Sequence, residues 1–182
     1  MKIFTLKAGE NWILDRIYSN WKQESEHLHT EDPNDADIIW ILPTWQWNRF
    51  PRHFLAQKTV VVTVHHVVPE KFNEIEFRDR DQYVNHYHVP CDQTRDFIKN
   101  YTDKQISVIG YWYDSSFWKP LEKMECRKEL GISNDWYVVG SFQRDTEGSD
   151  LKSPKLEKGP DLFVNYVKKL NKENLCVLLG GW

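Results

Sequence analysis

The sequence predicts an α/β protein built on a doubly wound parallel sheet. Three observations predict it. Short β-branched apolar runs alternate along the chain with segments of helical period. Two of the runs, "ADIIWIL" and "KTVVVTV", are nearly continuously apolar, as strands covered on both faces are. Residues able to do chemistry, among them Gly9, His65 and Arg144, follow predicted strands directly, where this class of fold places its ligands.

In chain order, "MKIFTL" reads as the first strand. "NWILDRIYSNWKQE" follows as a helix, with Ile13, Ile17 and Trp21 on one face and Leu14 and Tyr18 beside it. The two apolar runs come next as strands, bounded by Pro43, Lys58 and the polar pair His65-His66. "NHYHV" is a shorter strand, "CDQTRDFIKNY" a helix capped by Asp92, and "QISVIGYW" a further strand. "YDSSFWKPLEK" is rich in turn residues and reads as a linker centred on Pro120. Beyond it, "CRKELGI" is a short helix ended by Gly131 and "WYVVGSF" a strand. "GPDLFVNYVKKLNK" is a helix with Pro160 near its first turn, and "LCVLLGG" a last strand.

The linker divides the chain into a first Rossmann-like domain, 1–118, and the beginning of a second, 119–182. Two strands do not make a stable covered sheet, so the second domain is expected to be incomplete and the chain a fragment of a longer two-domain protein. Its strand residues Leu175, Val177 and Leu179 should then leave apolar surface exposed, and self-association through that sheet is open.

Composition removes several classes of function. A formal net charge of -3 at pH 7 argues against a nucleic-acid binder, which needs a basic face for phosphate neutralisation. The three cysteines have neither metal-ligand spacing nor a disulfide framework, which fits a reducing cytoplasm. No apolar run approaches the roughly 20 residues of a membrane-spanning helix, which leaves only peripheral membrane contact. The start of the chain lacks the apolar core of a signal peptide. No Walker loop, Ser-His-Asp order or zinc spacing occurs, so neither a metal nor a cofactor is expected.

Gly9-Glu10-Asn11 follows the first strand, where glycine lets a ligand approach the backbone beside a helix N-terminus that attracts anions. The same tripeptide also suits an ordinary strand-to-helix turn. His65 or His66 can donate to a hydroxyl or phosphate, or simply form the wall of the crevice. Arg144 offers a planar fork for a phosphate, and Lys158 a point charge at a helix start. The acidic residues between them, Asp145, Glu147, Asp150 and Glu157, equally suit a solvated charged loop.

The order of pieces from Tyr87 onward resembles the group 1 (family four) glycosyltransferases. In "YHVPCDQTRDFIKNYTDKQISVIGYWYDSSFWKP", Cys91, Thr94, the strand through Ile109, Tyr113-Asp114, Phe117 and Pro120 fall where that family crosses from its first domain to its second. "RKELGISNDWYVVGSFQRD" and "EKGPDLF" are similar to its Arg-x-x-Leu-Gly-Ile helix, Gly-x-x-Arg strand end and Lys-Gly-x-Asp-Leu helix start, and "VLLGG" to its Leu-x-Gly-Gly strand. The resemblance covers residues 60–182; residues 1–59 agree in the order of elements.

The resemblance implies a GT-B fold, two Rossmann-like domains across a cleft, and transfer of a sugar from a nucleotide-sugar donor to an acceptor with retention and without a metal. It gives Arg144 and Lys158 the donor diphosphate, with Lys152 or Lys155 as substitutes for Lys158. It places His65 or His66 at the reacting sugar, and Gly9, Glu10, Asn11 and Asp114 on the acceptor side of the cleft. The family's Glu-x7-Glu motif has no counterpart in the chain, so little turnover is expected from it. Two other functions suit the same pattern: a non-catalytic α/β module holding a phosphorylated ligand, and a GT-B-shaped nucleotide-sugar epimerase.

Overall fold

The computed structural model describes residues 1–143, 146 and 152–180. The chain divides into two compact units, Met1–Tyr113 and Asp114–Trp182.

The first unit is a five-stranded, all-parallel sheet in the order β1-β2-β3-β4-β5. The strands are β1 Ile3–Thr5, β2 Ile38–Ile41, β3 Thr59–Thr63, β4 His86–Val89 and β5 Gln105–Val108. The helices are α1 Ile13–Glu24, α2 Arg52–Leu55, α3 Glu74–Asp81 and α4 Asp92–Ile98.

Alternation along the strands creates two unlike faces. One carries Phe4, Ile39, Ile41, Val60, Val62, Tyr87 and Val89, all buried against Trp47, Phe50, Leu55, Phe77 and Ile98 from the loops and helices that follow β2, β3 and β4. The opposite face carries Ile3, Trp40, Val61 and His88, only half buried. Here α1 packs, with Leu14 and Ile17 against Leu42 and Trp21 edge-on to Trp40 at 5.3 Å.

That α1 occupies the face opposite the later helices has a local cause. After α1 the chain makes a single parallel bridge, His29 to Ile3, on the edge of β1 away from β2, with the Thr30 amide donating to Ile3 O. The winding therefore reverses at β1. The residue that completes the reversal is one bridge where a full strand would ordinarily stand.

Along the less covered face runs a chain of side-chain hydrogen bonds. His88 Nε2–H donates to Ile109 O at 2.8 Å, so its Nδ1 accepts from the Thr63 hydroxyl at 3.1 Å. Thr63 Oγ1 in turn accepts from Trp40 Nε1 at 2.9 Å. His88 thus links groups on β2, β3 and β4 with the segment after β5.

One sequence expectation needs correction in this unit, and one helix was not foreseen. The N-cap of α4 is Cys91, with Asp92 inside the first turn. The polar segment 74–81 is a helix, capped by the Asn73 side chain, which accepts from the Glu76 amide at 3.1 Å.

The second unit holds α5 Lys123–Glu129, β6 Tyr137–Ser141, α6 Pro160–Lys169 and β7 Leu175–Leu179, with β6 and β7 parallel. Glu122 caps α5 through the Met124 amide. Arg127 then donates to Ser133 O at 2.6 Å and Trp136 O at 2.9 Å, which fixes the end of α5 to the start of β6. The ring of Phe142 lies over Gly140 and Gly180, where an added Cβ would sit 2.6 Å from it, so a larger residue at either position would displace this exposed ring. None of the described residues of this unit is fully buried. Val177 and Leu179 are exposed, as are Leu162, Val164 and Tyr166 on α6; Leu175 is half buried.

Candidate functional site

A reversal of winding opens a crevice at the carboxyl ends of the strands that flank it, here β1 and β2. The chain fills this crevice with its own groups. Gly9 and Asn11 take left-handed conformations, φ 79 and 53, which turn successive amides inward. The Asp15 carboxylate, from the first turn of α1, accepts from the Gly9 amide at 2.8 Å and the Asn11 amide at 2.7 Å. Burial works against its charge, but the amides of Gly9, Asn11 and Glu10 outweigh burial and hold the carboxyl below the ordinary aspartate range. The anion that this loop attracts is therefore part of the protein. Glu10 is exposed beside it. From the β2 side, Gln46 Nε2 donates to Lys7 O at 3.0 Å and ties the two loops together.

His65, just past β3, is also committed. Its Nε2–H donates to Leu42 O at 2.8 Å, and its Nδ1 accepts from the Tyr111 hydroxyl at 2.6 Å. Burial lowers its pKa, in keeping with a neutral ring, and burial raises that of Tyr111 to about 12. Both ring nitrogens are spent on joining the ends of β2, β3 and β5. His66 is exposed and turns the other way, into the wall of a cavity.

That cavity, about 310 Å³, lies at the carboxyl ends of β2 and β3 against α3. Its polar lining comes from Thr44, His66, Lys71, Asn73, Glu76 and Arg80. Apart from His66, none of these residues stands out in the sequence. The signal that points to them is Asn73 followed three residues later by Glu76, an N-cap pattern that starts a helix above the third strand.

In the second unit, Arg144 lies outside the described residues. Lys158 ends a short 3-10 turn, Leu156–Lys158, and its side chain is exposed. Gly159, at φ 69, then reverses the backbone and serves as N-cap of α6 with Pro160 in its first turn. Lys158 therefore leaves the chain at the end of α6 where helix amides lack partners. A cavity of about 80 Å³ lies beside this end, between Ser141, Gln143, Pro160 and Gly180. Of the alternative lysines, Lys155 forms an ion pair with Glu157 at 3.2 Å. Asp114 is committed to its own turn: its carboxylate accepts from the amide and hydroxyl of Ser116, and the hydroxyl first, then the amide, lowers its pKa.

No protein-family model matches the chain, and no curated protein matches it. Among the described residues, no helix is long and apolar enough to cross a membrane.

Proposed function

We propose that the chain is part of a glycosyltransferase of the GT-B type, whose second unit holds a nucleotide-sugar donor and whose first unit takes the acceptor. The observation that supports this most is Lys158, exposed at the N-terminal end of α6. A cation there, together with the helix amides, suits a diphosphate. Arg144, three residues beyond the end of β6 in sequence, supplies the second cation. The chemistry is electrostatic: the two cations neutralise charge that grows on the departing diphosphate as the sugar is transferred. The role at the reacting sugar falls to His66, since His65 is held on both ring nitrogens.

A second reading has its own support. With His65 held on both ring nitrogens and the loop after β1 filled by Asp15, two of the groups expected at the crevice of the first unit are already occupied by the protein itself. That favours a module that binds a phosphorylated ligand without chemistry. A crystal structure with UDP or GDP separates the two. The transferase places the diphosphate at the start of α6 beside Lys158 with an ordered nucleoside. The binder holds simple phosphate esters equally well and leaves the nucleoside without a site.

A further inference from the structure

We propose that the cavity at the carboxyl ends of β2 and β3 is a binding site for a small hydroxylated carboxylic acid, read through the guanidinium of Arg80. Arg80 is 7 % exposed and lines the cavity, and its Nε has no hydrogen-bond partner. Burying a guanidinium N–H without an acceptor is costly, so a native site of this kind is completed by a ligand or by water. The guanidinium is fixed from behind, with its Cζ 5.3 Å from the ring centroid of Phe77. Phe77 itself is stacked on Tyr87, whose hydroxyl donates to Asp81 at 2.9 Å. Such a fork, rigid before binding, suits a planar oxyanion.

The rest of the lining narrows the ligand. Lys71 and Arg80 carry positive charge and Glu76 negative, so a single negative charge is matched better than the double charge of a phosphate ester. Glu76, Asn73 and Thr44 can accept from or donate to hydroxyl groups. The volume of about 310 Å³ is at the lower end of small-molecule sites and suits one sugar-sized ring or a shorter acid. Val64, Val67 and Phe72 supply the apolar wall for its carbon face. The inference stands whether or not the chain transfers a sugar.

The test is an NMR titration of the 182-residue chain with glucuronate, glucose and glucose 6-phosphate, following backbone amides. Glucuronate should shift the amides of Thr44, His66 and Asn73, and glucose should bind at least ten-fold more weakly. Arg80→Met should weaken glucuronate ten-fold or more, while Lys99→Ala, an exposed lysine just past α4, should leave it unchanged. Because Arg80 is buried, a second variant guards against loss of the fold: Glu76→Gln, on the exposed side of α3, should tighten glucuronate several-fold by removing a like charge. Tighter binding of glucose 6-phosphate than of glucuronate would overturn the carboxylate assignment. Glucuronate binding that matches glucose, or that is indifferent to Glu76→Gln, would overturn the site and leave water as the partner of Arg80.

Discussion

Replacing Asp15 by alanine should destabilise the first unit by about 2–3 kcal/mol, mostly through charge. The carboxylate makes two backbone hydrogen bonds of 2.8 and 2.7 Å. Hydrogen bonds to a charged group contribute roughly 1.5–3 kcal/mol each. Gly9 and Asn11 are exposed, so water can reach the freed amides, which brings the loss to the bottom of that sum or below it. Asp15→Asn keeps one accepting oxygen and should cost about half as much, on the order of 1–1.5 kcal/mol. The pH dependence carries the sharper test. The folded carboxyl titrates below its ordinary 3.8, so its contribution is fully present above that value and is lost as pH falls through the lowered folded value. Urea unfolding of wild type and Asp15→Asn, stepped from pH 7 down to pH 3, should show the gap narrowing only below pH 4. A gap that stays constant over that range would refute the argument that charge, rather than side-chain packing, closes the loop.

His65 should titrate below 6.5 in an NMR pH series, because burial opposes its charged form; stability then declines as pH falls through 6.5 toward the folded value, and a midpoint at or above 6.5 would contradict this. Tyr111→Phe removes the donor to Nδ1 and should raise the exchange of amides after β5 without unfolding the sheet. Arg127→Ala removes both bonds to Ser133 O and Trp136 O, which should cost roughly 1–2 kcal/mol and show as faster amide exchange in β6.

The seven strands among the described residues all lie inside the runs that alternation and β-branching mark, because a strand in a parallel sheet needs apolar residues wherever it runs. The runs overstate their lengths: "QISVIGYW" contributes only Gln105–Val108 before the chain leaves the sheet. Helix α3 was not legible, since "EIEFRDRD" has just two apolar residues and one of them, Ile75, is 83 % exposed. Its place is set by Phe77 packing under the sheet, a long-range contact that no local pattern encodes.

The candidate site was legible as a location and less so as a set of residues. The carboxyl ends of the strands follow from fold class alone. Which groups are free there depends on partners distant in sequence, such as Tyr111 on His65, or on a helix residue bonding back to its own loop, as Asp15 does. Arg80 was invisible for the opposite reason. An arginine in a polar helix reads as solvated surface, as its neighbour Arg78 is, and only the packed structure buries Arg80 beside a cavity.

Lys158 and Arg144 carry the central claim, and calorimetric titration of UDP and GDP tests them most directly. Each charge-assisted contact is worth roughly 1.5–3 kcal/mol, so Arg144→Ala should weaken nucleotide binding about ten- to a hundred-fold. Lys158→Ala should do somewhat less, since Lys152 lies nearby in sequence, and Lys104→Ala in the first unit should change nothing. Binding of UDP or GDP that responds in this order supports a donor diphosphate at the start of α6. Binding left unmoved by Arg144→Ala and Lys158→Ala, or no binding of either nucleotide, would contradict it.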